Sequence, residues 1–422
     1  MLFRLIVFAA FCSCKQGESS KPEPYACECP AQSAAAAVDP KQLASSESKT
    51  PAQQKEPTVA IPHVAPLAVC EADGKLPLEA ARDFFDRNEY EKALSCAAQA
   101  SALFPNDAVA HTERANALAA LGRDEEAKMA YARALAVDPD SLDALMGAAH
   151  FYAVTLPSTR ENDELGSLYA ERGLDVANAS KDEESAVQMG RISAMAFNDL
   201  GQPADALERA DWVLEHVKGH VDPDASYERA LALFELCRFN EAKAAFTSLL
   251  ADPERGAHAH HHLGLLFERE GKLKDAEKHF TAARERSKDD FPEPVLLTED
   301  EFRAEVKKAV AKLPEDMKRD IRGVPVSTED LPGTDDLKAV EPPLSPTILG
   351  LFRGPPLDEA CTPEPGAAAD APCRSVVLYR KNLARAVKTK EELIEQIRVT
   401  LLHEVGHLRG EDDFELAARG LE

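Results

Sequence analysis

Between residues 76 and 290 the apolar positions recur at helical spacing, and small residues recur with them at a longer period. Ala93, Ala100 and Pro105 return 34 residues later as Ala127, Ala134 and Pro139. Ala206, Ala242 and Ala276 hold the same place in later units, and Phe246 and Phe280 lie four residues beyond the last two. A small residue at that place lets two antiparallel helices approach closely, while Leu, Tyr and Phe fill the seam between them. One helix pair cannot bury such a face alone, so the period predicts a stack of about six pairs. The stretch PSTRENDELGS, Pro157 to Ser167, breaks the period, so the third unit is expected to carry an insertion or to be degenerate.

Beyond residue 290 the pattern changes. Thr298 with Glu301 reads as a capping box opening a helix to about Leu313, which Pro314 stops. GVPVSTED, PTILGLFRG and SVVLYRK alternate between Gly and Pro boundaries and predict short strands. A last helix is predicted from Thr389, capped with Glu392, to about Arg409. The fold class is therefore mainly α: an α-solenoid over 76–290 followed by a small α+β domain over 296–422. Residues 15–75, rich in Ala, Pro, Ser, Lys and Glu, lack a sustained period and predict a disordered tether.

Composition narrows the function. A net charge of -25 argues against nucleic-acid binding, which needs clustered cations. At the N-terminus Arg4 precedes an apolar run from Leu5 to Phe11, which reads as an export signal over residues 1–14 and is too short to span a bilayer. Nine cysteines fit an oxidising compartment. Cys361 and Cys373 flank the coreless segment TPEPGAAADAP and are a candidate disulfide. Cys96 and Cys237 are expected as core residues on helical apolar faces, and Cys27 and Cys29 lack a second pair at metal-ligand spacing.

Two histidine groups invite a metal. His258, His260, His261 and His262 fall in the first helix of the sixth unit, where no acidic residue near in sequence would orient the rings; they are expected on the helix surface or lining a groove. His403-Glu404-Val405-Gly406-His407 differs. Residues four apart share a helix face, so both imidazoles can reach one Zn²⁺ while Glu404 serves as general base to its water. Gly410 can reverse the chain and return an acidic side chain as third ligand. Glu411, Asp412, Asp413 and Glu415 are candidates, with Asp413 favoured and Asp412 next.

Three resemblances follow from these segments. Phe11-Cys12-Ser13-Cys14 is similar to a bacterial lipobox, which implies a lipid on Cys14, and Lys15 after it implies the outer membrane. The 76–290 units resemble tetratricopeptide repeats, which implies a right-handed superhelix whose concave groove takes a protein partner. From about Leu297 to Leu416 the chain resembles the minimal zincins, a bacterial zinc metallopeptidase family with the pattern HExxHxxGxxD. That likeness is carried by the helix ending Leu313-Pro314, Val324 to Asp330, ILGLFRGPPL, VVLYRKNL and TLLHEVGHLRGEDDFEL. It implies one zinc held by His403, His407 and Asp413, Glu404 as base, and the SVVLYRK strand as a cleft-bordering edge that aligns an extended peptide.

The sequence thus predicts an exported, lipid-anchored zinc metallopeptidase, outer-membrane-bound or facing the periplasm, with a partner-binding solenoid and a peptide or protein substrate. The competing class is a non-catalytic scaffold whose zincin domain is silent.

Overall fold

The 34-residue rhythm of alanines folds as helix pairs, because a methyl group is all the space that two closely packed helices leave. This computed structural model describes residues 69–70, 74–217, 222–361 and 372–421; the export signal, Cys14, Cys27, Cys29 and nearly all of the 15–75 segment lie outside them. The pairs are α1 (Pro77–Asp86) with α2 (Tyr90–Leu103), α3 (Ala108–Ala120) with α4 (Asp124–Val137), and α5 (Leu142–His150) with α6 (Arg160–Ser180). They continue as α7 (Glu183–Asp199) with α8 (Pro203–His216), α9 (Pro223–Glu235) with α10 (Phe239–Ser248), and α11 (Gly256–Arg269) with α12 (Leu273–Arg286). Ala93, Ala127, Ala206, Ala242 and Ala276 are each no more than 2% exposed, as the contact point of a helix pair must be.

Inside five pairs a left-handed residue turns the chain, and two of these are not glycine: Asn88 at φ 59° and Cys237 at φ 55°. Cys237 is therefore a turn residue and not part of a helix face; its buried Sγ lies 3.9 Å from the Leu344 carbonyl. Cys96 is fully buried, yet it is bonded to Cys70 and so staples the chain before α1 onto α2. The third pair lacks the tight turn. There α5 runs into a π-helical turn, Phe151–Thr155, and Thr159 then caps the 21-residue α6. Gly166 lets α6 pass this turn, since a Cβ there would sit 2.7 Å from the Ala153 Cβ. The break in period is thus absorbed by a π-turn and a longer second helix.

His261 and His262 of α11 are packing elements, which corrects the expectation of surface or groove for these two. His262 stacks on Phe246 at 4.6 Å and His261 on Phe291 at 4.6 Å. Burial keeps both neutral, with His262 pushed down to about 4. His260 points elsewhere, its Nδ1 3.0 Å from that of His279.

The α+β part begins with α13 (Glu299–Lys312), opened by the Thr298–Glu301 capping box, and α14 (Glu315–Asp320). It continues through β1 (Val326–Glu329), α15 (Thr334–Leu337), β2 (Gly350–Arg353), β3 (Ser375–Tyr379) and α16 (Arg380–Arg385) to α17 (Lys390–Leu408) and α18 (Asp413–Ala418). The sheet order is β1-β3-β2, with β1 parallel and β2 antiparallel to β3. The SVVLYRK strand is therefore central, its Val376 to Tyr379 completely buried, and cannot be the peptide-aligning edge. Among the described residues β2 pairs only with β3, so it is an edge strand of the sheet. Cys361 and Cys373 form a disulfide that closes the segment between β2 and β3. Phe302 and Val306 of α13, Val376 and Leu378 of β3, and Leu393, Ile397 and Leu401 of α17 share one core.

The helical array and this domain belong to one compact unit. Glu268 of α11 bonds Arg385 at 2.7 Å and Lys381 at 3.3 Å, and Arg269 donates to the Pro332 carbonyl at 3.0 Å.

Within the array, burial pushes the Glu228 carboxyl up to about 7 against the opposing hydrogen bond from Asn198, 2.8 Å away. The folded chain then holds this proton better than the unfolded chain, whose carboxyl titrates near 4.3. The stability it contributes is complete below about pH 4.3 and is lost as pH rises through about 7. Urea unfolding followed by circular dichroism from pH ~5 to ~8 should show Glu228→Gln losing less stability than the natural chain; parallel curves would contradict this.

Candidate metal centre and catalytic site

Helix α17 starts at a full capping box, Thr389 with Glu392, and carries His403 and His407 in its last two turns. Gly410, at φ 88°, then reverses the chain, with the Glu411 N–H donating to the Gly406 carbonyl at 3.0 Å. A second capping box, Asp412 with Glu415, begins α18 at 2.9 and 3.1 Å. Gly406 lets α18 lie directly against α17, because a Cβ there would collide with the Leu416 side chain. Asp413, the first residue of α18, is thereby turned back toward both imidazoles.

The three side chains meet closely. His403 Nε2 and His407 Nε2 are 2.9 Å apart, and Asp413 Oδ1 lies 3.5 and 3.2 Å from them. His403 Nδ1 is 2.6 Å from the Leu421 carbonyl, and His407 Nδ1 is 3.0 Å from the Glu411 carbonyl. A carbonyl only accepts, so each neutral ring carries its proton on Nδ1 and turns an Nε2 lone pair inward. Asp413 Oδ1 is buried and has no donor in hydrogen-bonding geometry. With both rings neutral, three acceptors converge, and a cation between them relieves their repulsion. Ligands about 2.0 to 2.1 Å from a tetrahedral ion lie about 3.3 Å apart, and the three separations bracket that spacing. This set can hold a metal ion.

Charge and burial agree with that fit. Burial opposes the Asp413 anion, yet the two imidazoles outweigh it and hold the carboxyl down at about 2. Burial likewise disfavours each imidazolium, but Asp413 and Glu404 outweigh it and raise both His403 and His407. Glu404 is only 6% exposed, and burial raises its pKa against the pull of both histidines and the Phe352 N–H. A carboxylate so placed accepts a proton more readily than one in water. Gly350 at the head of β2 provides its room: a Cβ there would fall 2.7 Å from Glu404 Oε1 and 2.9 Å from its Cγ.

The other acidic candidates are engaged elsewhere. Asp412 and Glu415 cap α18, and the Glu411 carboxylate pairs with Arg419, its backbone carbonyl being what serves the site. A signal for this was present: Asp412-x-x-Glu415 is itself a capping pattern, which frees Asp413. Gly350, the Phe352 N–H and the Leu421 carbonyl carry no such signal, because they act through tertiary contact.

Residues 321–421 match the zincin-like metallopeptidase family, and residues 78–144 and 227–291 match the tetratricopeptide repeat family. The C-terminal segment is thus a zincin-like domain following an array of tetratricopeptide repeats. No curated protein matches the chain. Among solved structures, YrrB, described as a tetratricopeptide repeat protein with an unusual peptide-binding site, has a TM-score of 0.37 at 20% identity and covers 46% of this chain and 93% of its own. PilF of Pseudomonas aeruginosa has a TM-score of 0.41 at 17% identity over 54% of this chain and 96% of its own. PilW, a type IV pilus biogenesis factor, has 0.41 at 18% identity over 50% and 91%.

Adding Zn²⁺ to metal-free protein should raise its melting temperature, since an ion that binds only the folded state stabilises it. Asp413→Ala should remove most of that rise, while Asp412→Ala should keep it and lower the metal-free stability by about 1 kcal/mol through the lost cap. Scanning fluorimetry distinguishes the two, and equal metal responses would contradict the assignment.

Proposed function

We propose that this protein is a zinc-dependent metallopeptidase, in which the tetratricopeptide array binds a protein partner or substrate and the zincin-like domain hydrolyses a peptide bond. The observation that carries the reading is the convergence of His403 Nε2, His407 Nε2 and Asp413 Oδ1 beside the buried Glu404. A bound Zn²⁺ would supply Lewis acidity and lower the pKa of a coordinated water toward about 7. Glu404 takes the proton of the attacking water and returns it to the leaving amine. The carbonyls of Leu421 and Glu411 keep both imidazoles in the ligating tautomer throughout. An extended substrate adds along edge strand β2, which runs beside Glu404, by strand addition.

The same reading places the chain outside a bacterial cytoplasm, exported by its N-terminal apolar run and lipid-anchored through Cys14 at the outer membrane or facing the periplasm. Two disulfides among the described residues support an oxidising compartment.

Purified protein should cleave members of a broad peptide library, lose that activity to a chelator and regain it with Zn²⁺. Glu404→Gln should lower kcat by about 10²- to 10⁴-fold with zinc content unchanged, the range of one general acid-base group. Stoichiometric zinc with no cleavage of any library member would favour the scaffold reading, in which the array acts and the zincin-like domain is silent.

A further inference from the structure

The connection from β2 to β3 carries an arginine that the proposed chemistry does not use. Arg374, immediately before β3, turns its guanidinium back on the chain leaving β2. There Nε donates to the Pro355 carbonyl at 2.7 Å, and Nη2 donates to the carbonyls of Pro356 at 2.8 Å and Glu359 at 2.7 Å. A planar charged fork that engages three carbonyls of one turn selects one conformation of that turn, because few arrangements of acceptors fit it. Two further features fasten the same segments together. Cys361, two residues beyond Glu359, is disulfide-bonded to Cys373, the neighbour of Arg374. Gly354 has φ 105°, and a Cβ there would fall 2.3 Å from the Cys373 carbonyl oxygen.

The fastened loop, residues 354–361, rests against the turn that completes the metal centre. The Leu357 N–H donates to the carbonyl of Leu408, the last residue of α17 and the one directly after His407, at 2.8 Å. That bond satisfies one of the carbonyls a helix end leaves without an internal partner. Pro356 and Asp358 lie over Gly410: a Cβ built there would be 3.7 Å from the Pro356 Cβ and 3.8 Å from Asp358 Oδ1. Gly410 is the left-handed residue that returns the chain toward the site. The turn it makes delivers two groups to the centre, the Glu411 carbonyl 3.0 Å from His407 Nδ1 and the Asp413 carboxylate 3.2 Å from His407 Nε2.

We propose that Arg374 is a positioning residue for the metal centre: by fixing residues 355–359 it braces the turn between α17 and α18, and so holds the Glu411 carbonyl and Asp413 around the ion. This rests on the metal-site reading above. The disulfide keeps the two ends of the same brace together, so the Cys361–Cys373 bond supports the zinc site besides closing the segment between β2 and β3. Removing a group that orients metal ligands costs about 10- to 10²-fold in metal affinity.

The test uses the full chain with Arg374→Ala, Arg374→Lys and the double variant Cys361→Ser with Cys373→Ser. Zinc affinity is read by titration against a chromophoric chelator, and hydrogen exchange is followed in metal-free protein. Arg374→Ala should weaken zinc binding by about 10- to 10²-fold. It should also raise exchange over residues 406–413, while residues 390–402 of α17 and the array keep their protection. Arg374→Lys restores the charge but not the fork, and should recover only part of the affinity. The double cysteine variant should weaken binding by a smaller factor, since the guanidinium remains. Unchanged zinc affinity in Arg374→Ala, full recovery in Arg374→Lys, or an exchange rise spread evenly over the zincin-like domain overturns the proposal. Should the parent itself bind no zinc, the metal reading fails, and exchange over 406–413 alone still decides whether Arg374 braces the turn. If Arg374→Ala does not fold, the double cysteine variant makes the same comparison from the other fastening, and unchanged affinity and exchange there overturn the proposal.

Discussion

Three acceptor atoms held together without a proton are the constraint on which this domain is arranged. His403 and His407 each give their one ring proton to a backbone carbonyl, so their facing nitrogens can only accept, and Asp413 adds an anionic oxygen beside them. A divalent cation between them relieves that repulsion. The neighbouring features serve this geometry. Gly406 brings α18 against α17, the Asp412–Glu415 cap starts α18 at the residue that must point inward, and Gly350 leaves space for Glu404.

The array obeys a different constraint, that of close helix approach. Its alanines are buried at every pair, and its large aromatics, such as Phe234 and Phe246, fill the seams. The two parts share polar contacts, Glu268 with Arg385 and Lys381, and Arg269 with the Pro332 carbonyl. Such contacts favour one relative placement, because alternatives would leave a desolvated charge without a partner.

Much of this was legible in the sequence for a physical reason: periodic small residues, capping boxes and the i, i+4 histidine pair all act locally, within one helix or one turn. The repeat and the ends of α13 and α17 were readable on that ground. Sheet order was not, since a hydrophobic run such as Val376 to Tyr379 fits a strand at an edge or at the centre equally well until its neighbours are known. The buried α11 histidines misled in the same way, because aromatic partners on α10 and beyond α12 decide their burial. Cys70 gave no local hint that it would reach Cys96, and the Leu421 carbonyl and Phe352 N–H belong to backbone that carries no residue signature.

The most direct measurement is a crystal structure of zinc-soaked protein with anomalous data collected across the zinc edge. The account predicts one anomalous peak within about 2.0 to 2.2 Å of His403 Nε2, His407 Nε2 and an Asp413 carboxylate oxygen. A peak elsewhere, such as among the α11 histidines, or no peak with the two imidazoles turned apart, would contradict it.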